Sequence, residues 1–204
     1  TDRPLVVQYF SWISKVLRGD LGMSLQYDLP VSEILAPAAS KSAQLAIVAL
    51  IIIIPVSILG GVVAAMKRDK LADRLITVGG LSATVIPEFV WSVILILIFG
   101  VAFRIFPISA FPSEEGANLL IRIYHLILPS IALLLVLFGY ISRITRAGVI
   151  EALDSDYMRT AVLKGYTKGA AVFRHVLRNA LLPTIAVIAT QVPYLVGGLI
   201  AIER

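Results

Sequence analysis

Apolar residues in this chain gather in long unbroken runs instead of alternating with polar ones. Ala43 to Met66 is 24 positions without a charged side chain, and such a helix rises roughly 36 Å at about 1.5 Å per residue, enough for a hydrocarbon layer of about 30 Å. Leu75–Phe103, Leu126–Ile141 and Leu182–Ile202 repeat the theme. The pattern predicts four membrane-crossing helices and an all-α, polytopic chain. Pro55 inside the first run and Gly60-Gly61 near its end predict a kink and close helix contact there. Pro87-Glu88 interrupts the second run, Pro129 is expected in the first turn of the third, and the fourth carries Pro183, Gln191, Pro193 and Gly197-Gly198.

The polar stretches divide the rest. At the start, Asp2 is placed to cap a helix with Pro4 in its first turn. Leu5, Tyr9, Trp12, Ile13, Val16 and Leu17 then recur on one face until Gly19 ends the pattern. That face suits either a membrane surface or packing against the rest of the protein. Asp28 and Pro30 open a short helical stretch, VSEILAPAAS, that Pro37 is expected to interrupt. Residues 1–40 therefore read as an extracytoplasmic amphipathic helix and linker, and residues 41–204 as the membrane domain. Lys67–Arg74 is a compact basic loop, 104–125 a mixed loop, and 143–178 a longer polar segment. The first and last of these hold 4 and 7 Lys/Arg residues, which places both in the cytoplasm and both visible ends outside.

Composition agrees. Hydrophobic residues make up 58% and charged ones 15% of the chain, against about 45–50% and 25% in soluble domains. The net charge of +5 is accounted for by the loop cations and calls for no nucleic acid. There is no cysteine, and His125 and His175 stand far apart, so neither a disulfide framework nor a His/Cys metal site is expected. No G-x-x-x-x-G-K-[ST] phosphate loop occurs, and Lys164-Gly165 and Lys168-Gly169 lack its order. An intramembrane serine protease using Ser82 or Ser92 is disfavoured because both histidines fall outside the apolar runs. A transporter driven by an ion gradient predicts more intramembrane charge than Glu88 alone. That carboxylate costs on the order of 2.5–3.5 kcal/mol facing lipid. Glu88 is therefore read either as a group in a translocation path or as one satisfied by backbone freed at Pro87. Gln191 has the same two readings, path or bundle.

The most informative segment is EALDSDYMRTAVLKGYTKGAAVFRHVLRNALLP, from Glu151 to Pro183. It carries the carboxylates Glu151, Asp154 and Asp156, spaced cations at Arg159, Lys164, Lys168, Arg174 and Arg178, and a central Gly165 between helix-compatible stretches. Helix, short turn, helix is the expected form. DYMRTAVLKG followed by FRHVLRNALLP resembles the EAA loop of permease subunits in ABC (ATP-binding cassette) importers of the peptide, oligopeptide and nickel branch. Arg159-Thr160-Ala161 stands where Glu-Ala-Ala would be, with Gly165 at the expected offset, and Gly19-Asp20-Leu21-Gly22-Met23-Ser24 is similar to the segment before the second span in that branch.

The resemblance implies a type I importer transmembrane fold, a loop at about 149–182 that couples to a separate ATPase, and a chain that is a fragment of a longer permease. It implies coupling roles for Asp156, Tyr157, Arg159, Thr160, Ala161, Lys164, Gly165, Tyr166 and Lys168, and a second helix, from about Ala171 to Leu181, that passes the displacement on. The implied partners are a second homologous permease, two ATPase subunits holding ATP and Mg, an extracytoplasmic solute-binding protein and the lipid of a bacterial inner membrane. No cofactor is expected on this chain, and no activity as an enzyme. Di- or oligopeptides are the expected cargo, with nickel, glutathione or opine-like solutes as alternatives within the branch.

Overall fold

The computed structural model describes residues 4–112, 116–172 and 177–202. These residues are helical apart from turns and one isolated bridge. The chain divides into two compact units, residues 1–44 and 45–204.

In the first unit, α1 (Leu5–Val16) buries none of its residues. Pro4 takes the cap position at φ −53° and ψ 142°, one step earlier than the first-turn place expected, while Asp2 lies outside the described residues. Gly19 at φ +86° turns the chain away, as the pattern required. Asp20 Oδ1 accepts the Gly22 N–H at 3.0 Å, and Val31 N–H donates to Gly22 O at 2.9 Å across an antiparallel bridge between Met23 and Pro30. This closed turn delivers the chain to α2 (Val31–Met66), which continues through Pro37 and Pro55. The expected interruption at Pro37 does not occur. Ala36, Ala38 and Ala39 around it are the strongest helix formers, and the one carbonyl a proline leaves unpaired, that of Glu33, lies on an exposed turn open to water.

Among its described residues the second unit holds three buried clusters. Leu45, Ala49 and Ile53 of α2 meet Leu126, Leu133, Leu137 and Ile141 of α5 (Leu119–Leu153), with Val187 and Ile188 of α9 (Leu182–Ile202) against them. The expected close approach at Gly60-Gly61 is present. A Cβ on Gly61 would stand 2.5 Å from Thr145 Cβ and 2.6 Å from the Ser142 carbonyl oxygen, so any side chain there would push α2 off α5. Among the described residues α2 and α5 are each long and apolar enough to cross a membrane.

The second apolar run departs from a single span. It forms α3 (Leu71–Thr84) and α4 (Glu88–Leu95), bent by 103° at the break and continued by a π-helical stretch, Ile96–Ala102. Pro87 disfavours the helical conformation at Ile86 and removes the N–H that would have bonded the Ala83 carbonyl. The Trp91 indole takes that carbonyl instead, at 3.0 Å. Glu88 thus opens a helix rather than sitting near the middle of one. A helix N-terminus is a favourable place for a carboxylate.

The third run is longer than expected at both ends. α5 begins at Leu119, so Pro129 is more than two turns inside it rather than in the first turn, and it runs on through Arg143 and Arg146 to Leu153. The preceding loop folds onto its first turns: the Tyr124 hydroxyl donates to the Ile105 carbonyl, and His125 Nδ1 lies 2.8 Å from Ser109 O. Arg122 Nε donates back to the Ala117 carbonyl at 3.0 Å, tying the first turn of α5 to the loop before it.

Candidate coupling site

The polar segment proper starts where α5 stops. Asp154 ends α5, Ser155 takes an extended conformation (φ −80°, ψ 156°), and α6 (Asp156–Leu163) follows with Asp156 in its first turn, where the helix dipole favours a carboxylate. The Ser155 hydroxyl donates back to the Ala152 carbonyl, fixing the corner.

Gly165 then ends α6. It has φ +91°, its N–H donates to Val162 O at 2.9 Å, and the Tyr166 N–H donates to Ala161 O at 3.2 Å. That pair of bonds is the Schellman arrangement, which requires a left-handed residue at this place. A Cβ built on Gly165 would meet nothing within 4 Å. Within this chain the glycine therefore serves conformation and not close approach.

α6 is seated by its inner face. Met158 (4% exposed) and Ala161 (7%) pack with Val62, Ala65, Val149, Ala152, Ala171 and Val172. Ala161, given a partner-contact role by the resemblance, is placed in the chain's own core. Asp156, Tyr157, Arg159, Thr160 and Lys164 are exposed, Tyr166 is half-buried, and Leu163 is 82% exposed. Thr160 Oγ1 donates to Asp156 O at 3.0 Å, closing the first turn of α6. Neither Arg159 nor Lys164 is ion-paired among the described residues. Two grooves flank the helix. One, of about 620 Å³, runs between Met66, Leu153, Met158, Arg159 and Leu163; the other, of about 350 Å³, is bordered by Glu151, Tyr157, Asn179 and Pro183.

Beyond the glycine, Lys168 opens α7 (Lys168–Ala171), and α8 (Leu177–Ala180) leads into α9. The second helix of the expected hairpin falls partly on residues 173–176, which lie outside the described residues, as do Arg174 and His175. The end of the segment is tied to α5. A Cβ on Gly148 would stand 2.5 Å from Ala180 O, and the buried hydroxyls of Thr145 and Thr184 are 3.2 Å apart. The carboxylates Glu151, Asp154 and Asp156 do not gather: Arg68 Nη1 reaches Asp154 at 3.3 Å, and no group of metal-binding composition exists among the described residues.

Glu88 and Gln191 belong elsewhere. Each is half-buried, on α4 and α9, two helices that touch. The sequence reading missed a stronger feature. Asp73, buried in the first turn of α3, accepts Arg146 Nε at 2.6 Å and Nη2 at 2.7 Å, along with the Asp69 N–H at 2.9 Å and Thr77 Oγ1 at 3.2 Å. Its signal was the spacing Asp73, Thr77, Gly80, a small-and-polar stripe on one helical face, hidden by the cations around it.

The sequence of this chain matches, over residues 57–203, the family described as binding-protein-dependent transport system inner membrane component. It is similar to a probable peptide ABC transporter permease of Sinorhizobium fredii, at 34% identity over 99% of this chain and 64% of that one. It is also similar to an oligopeptide transport system permease of Bacillus subtilis, at 33% over 98% and 64%. A dipeptide transport system permease of Escherichia coli K12 matches at 33% over 99% and 66%. The chain spans about two thirds of the length of these relatives. Joined to the span-length helices α2 and α5, matches of this extent make the chain a member of the binding-protein-dependent family of inner-membrane transport components.

Proposed function

We propose that this chain is a membrane-spanning permease subunit of an ATP-driven importer in a bacterial inner membrane. It lines a path for di- or oligopeptides and is driven through α6 by a separate ATPase that holds ATP and Mg. The reading takes its cargo from the peptide, oligopeptide and dipeptide names of its relatives. A second homologous permease, two ATPase subunits and a solute-binding protein complete the assembly.

One observation carries the coupling role. α6 is anchored inward by Met158 and Ala161 at the end of a span-length helix, yet leaves Tyr157, Arg159, Thr160, Leu163 and Lys164 uncovered. A short helix held at its root and bare on its outer face is suited to insertion into a partner's cleft. Arg159 and Lys164 offer charge to acidic groups there, and Tyr157 and Tyr166 offer area with a hydroxyl; the side chain of Lys168, assigned the same role, lies outside the described residues. Asp156 strengthens the start of the helix and Gly165 its end. ATP drives transport only by favouring one arrangement of the spans over the other. Glu88 and Gln191, on touching helices, are assigned to the path.

Gly165→Val tests the role. A β-branched residue at φ +91° is strained by roughly 1–2 kcal/mol or more, which distorts the cap while leaving the apolar spans untouched. The expected result is loss of the ATPase on purification, or hydrolysis no longer tied to uptake, with the subunit still inserted. Normal coupled uptake by this variant sinks the reading.

A further inference from the structure

Asp73 is 3% exposed, and four hydrogen bonds converge on its carboxylate, two of them from the guanidinium fork of Arg146. Seven residues further along α3, Gly80 meets Gly139 of α5: a Cβ on Gly80 would lie 3.0 Å from Gly139 Cα, and one on Gly139 would strike the Gly80 carbonyl. Gly139 is likewise seven residues before Arg146. The two helices are therefore antiparallel and touch at two matched points, two turns or roughly 10 Å apart on each. A fork at one point and bare backbone at the other fix slide and roll together. A buried ion pair is often no better for stability than packed apolar groups; what the bidentate fork adds is a single allowed approach.

The ends of this pairing are informative. Arg146 lies two turns before Leu153, where α5 gives way to α6, and Arg68 bonds Asp154 at that corner at 3.3 Å. The other end of α3 is Thr84, beside the break and its bend of 103°. We propose that α3 and α5 act as one strut that carries a displacement of α6 to the break at Val85–Pro87, with Asp73 and Arg146 as the residues that position it. This rests on the coupling role of α6 given above.

These 204 residues contain no cysteine, and Val85 is exposed at the break, so Val85→Cys places one reactive thiol in this stretch. Its alkylation is followed by peptide mass in the assembled importer in proteoliposomes, without nucleotide and with ATP plus vanadate. The two rates are expected to differ about fivefold or more, the lower end for coupled sites. Arg146→Lys keeps the charge and loses the fork. In that background, and in Asp73→Asn, the rates are expected to converge within about twofold while hydrolysis continues, which a merely structural pair would not produce. Should neither variant assemble, Gly139→Ala, which forces the other contact apart, carries the same expectation. Rates that still follow nucleotide in these variants overturn the strut. So does a Val85→Cys thiol indifferent to nucleotide in an importer that takes up peptide on ATP, a result that leaves the coupling role standing; normal coupled uptake by Gly165→Val overturns that role separately.

Discussion

The broken span and the straight one make a useful pair. α3–α4 and α5 are both apolar, and each contains a proline well inside its run, yet the chain bends by 103° before Pro87 and passes through Pro129 without a break. Proline alone does not decide. At Pro87 the preceding residues are Val85 and Ile86, β-branched and partly exposed, and Trp91 stands one turn on to satisfy the abandoned Ala83 carbonyl. At Pro129 the preceding residue is Leu128, which is buried against Leu95 and Ala132 and held in the helix by that packing. A break forms where the loose ends can be satisfied and nothing apolar holds the chain straight.

Five substitutions would break or sharpen the contrast, each read as a change in thermal midpoint of the purified complex unless stated. Asp73→Ala leaves Arg146 without its partner where α3 meets α5, and the expected loss is about 3 kcal/mol, since removing one member of a buried pair strands the other. Gly139→Leu overfills the Gly80 contact and is expected to cost about 2–3 kcal/mol. Trp91→Phe keeps the ring but orphans the Ala83 carbonyl, a loss of about 1 kcal/mol. Pro129→Ala is the mildest: α5 is already helical there, so restoring one backbone N–H is expected to stabilise by roughly 0.5–1 kcal/mol. Pro87→Ala gives the complementary geometric result. Spin labels on cysteines placed at Val78 and Leu97 should move apart as the bend opens, whereas an unchanged distance would show that Trp91 and the packing of α4 hold the break without the proline.

Much of this was legible in the residues. The apolar runs mark where helices lie because a bilayer demands length and freedom from charge, and Gly165 is visible because few other residues end a helix in the left-handed conformation. Helix ends were harder. Arg143 and Arg146 read as the start of a loop, although an arginine with a buried carboxylate to meet continues a helix readily. Likewise Pro37 reads as a stop, but its cost falls on an exposed turn. Asp73 was hidden because a charge count over 67–74 treats every residue there as solvated, while the structure buries one of them. The inward seat of Ala161 follows from tertiary contacts that no local spacing displays.

α2 has a simple geometric corollary. Its 36 residues rise roughly 54 Å, against about 30 Å of hydrocarbon, and even a steep lean of about 40° leaves a remainder of some 10 Å. With Ala43–Met66 free of charge, the surplus falls on the turns bearing Glu33 and Lys41. By length alone those turns are more helix than a hydrocarbon layer holds, and their cleavage by a protease added to one face of sealed vesicles is the expected result.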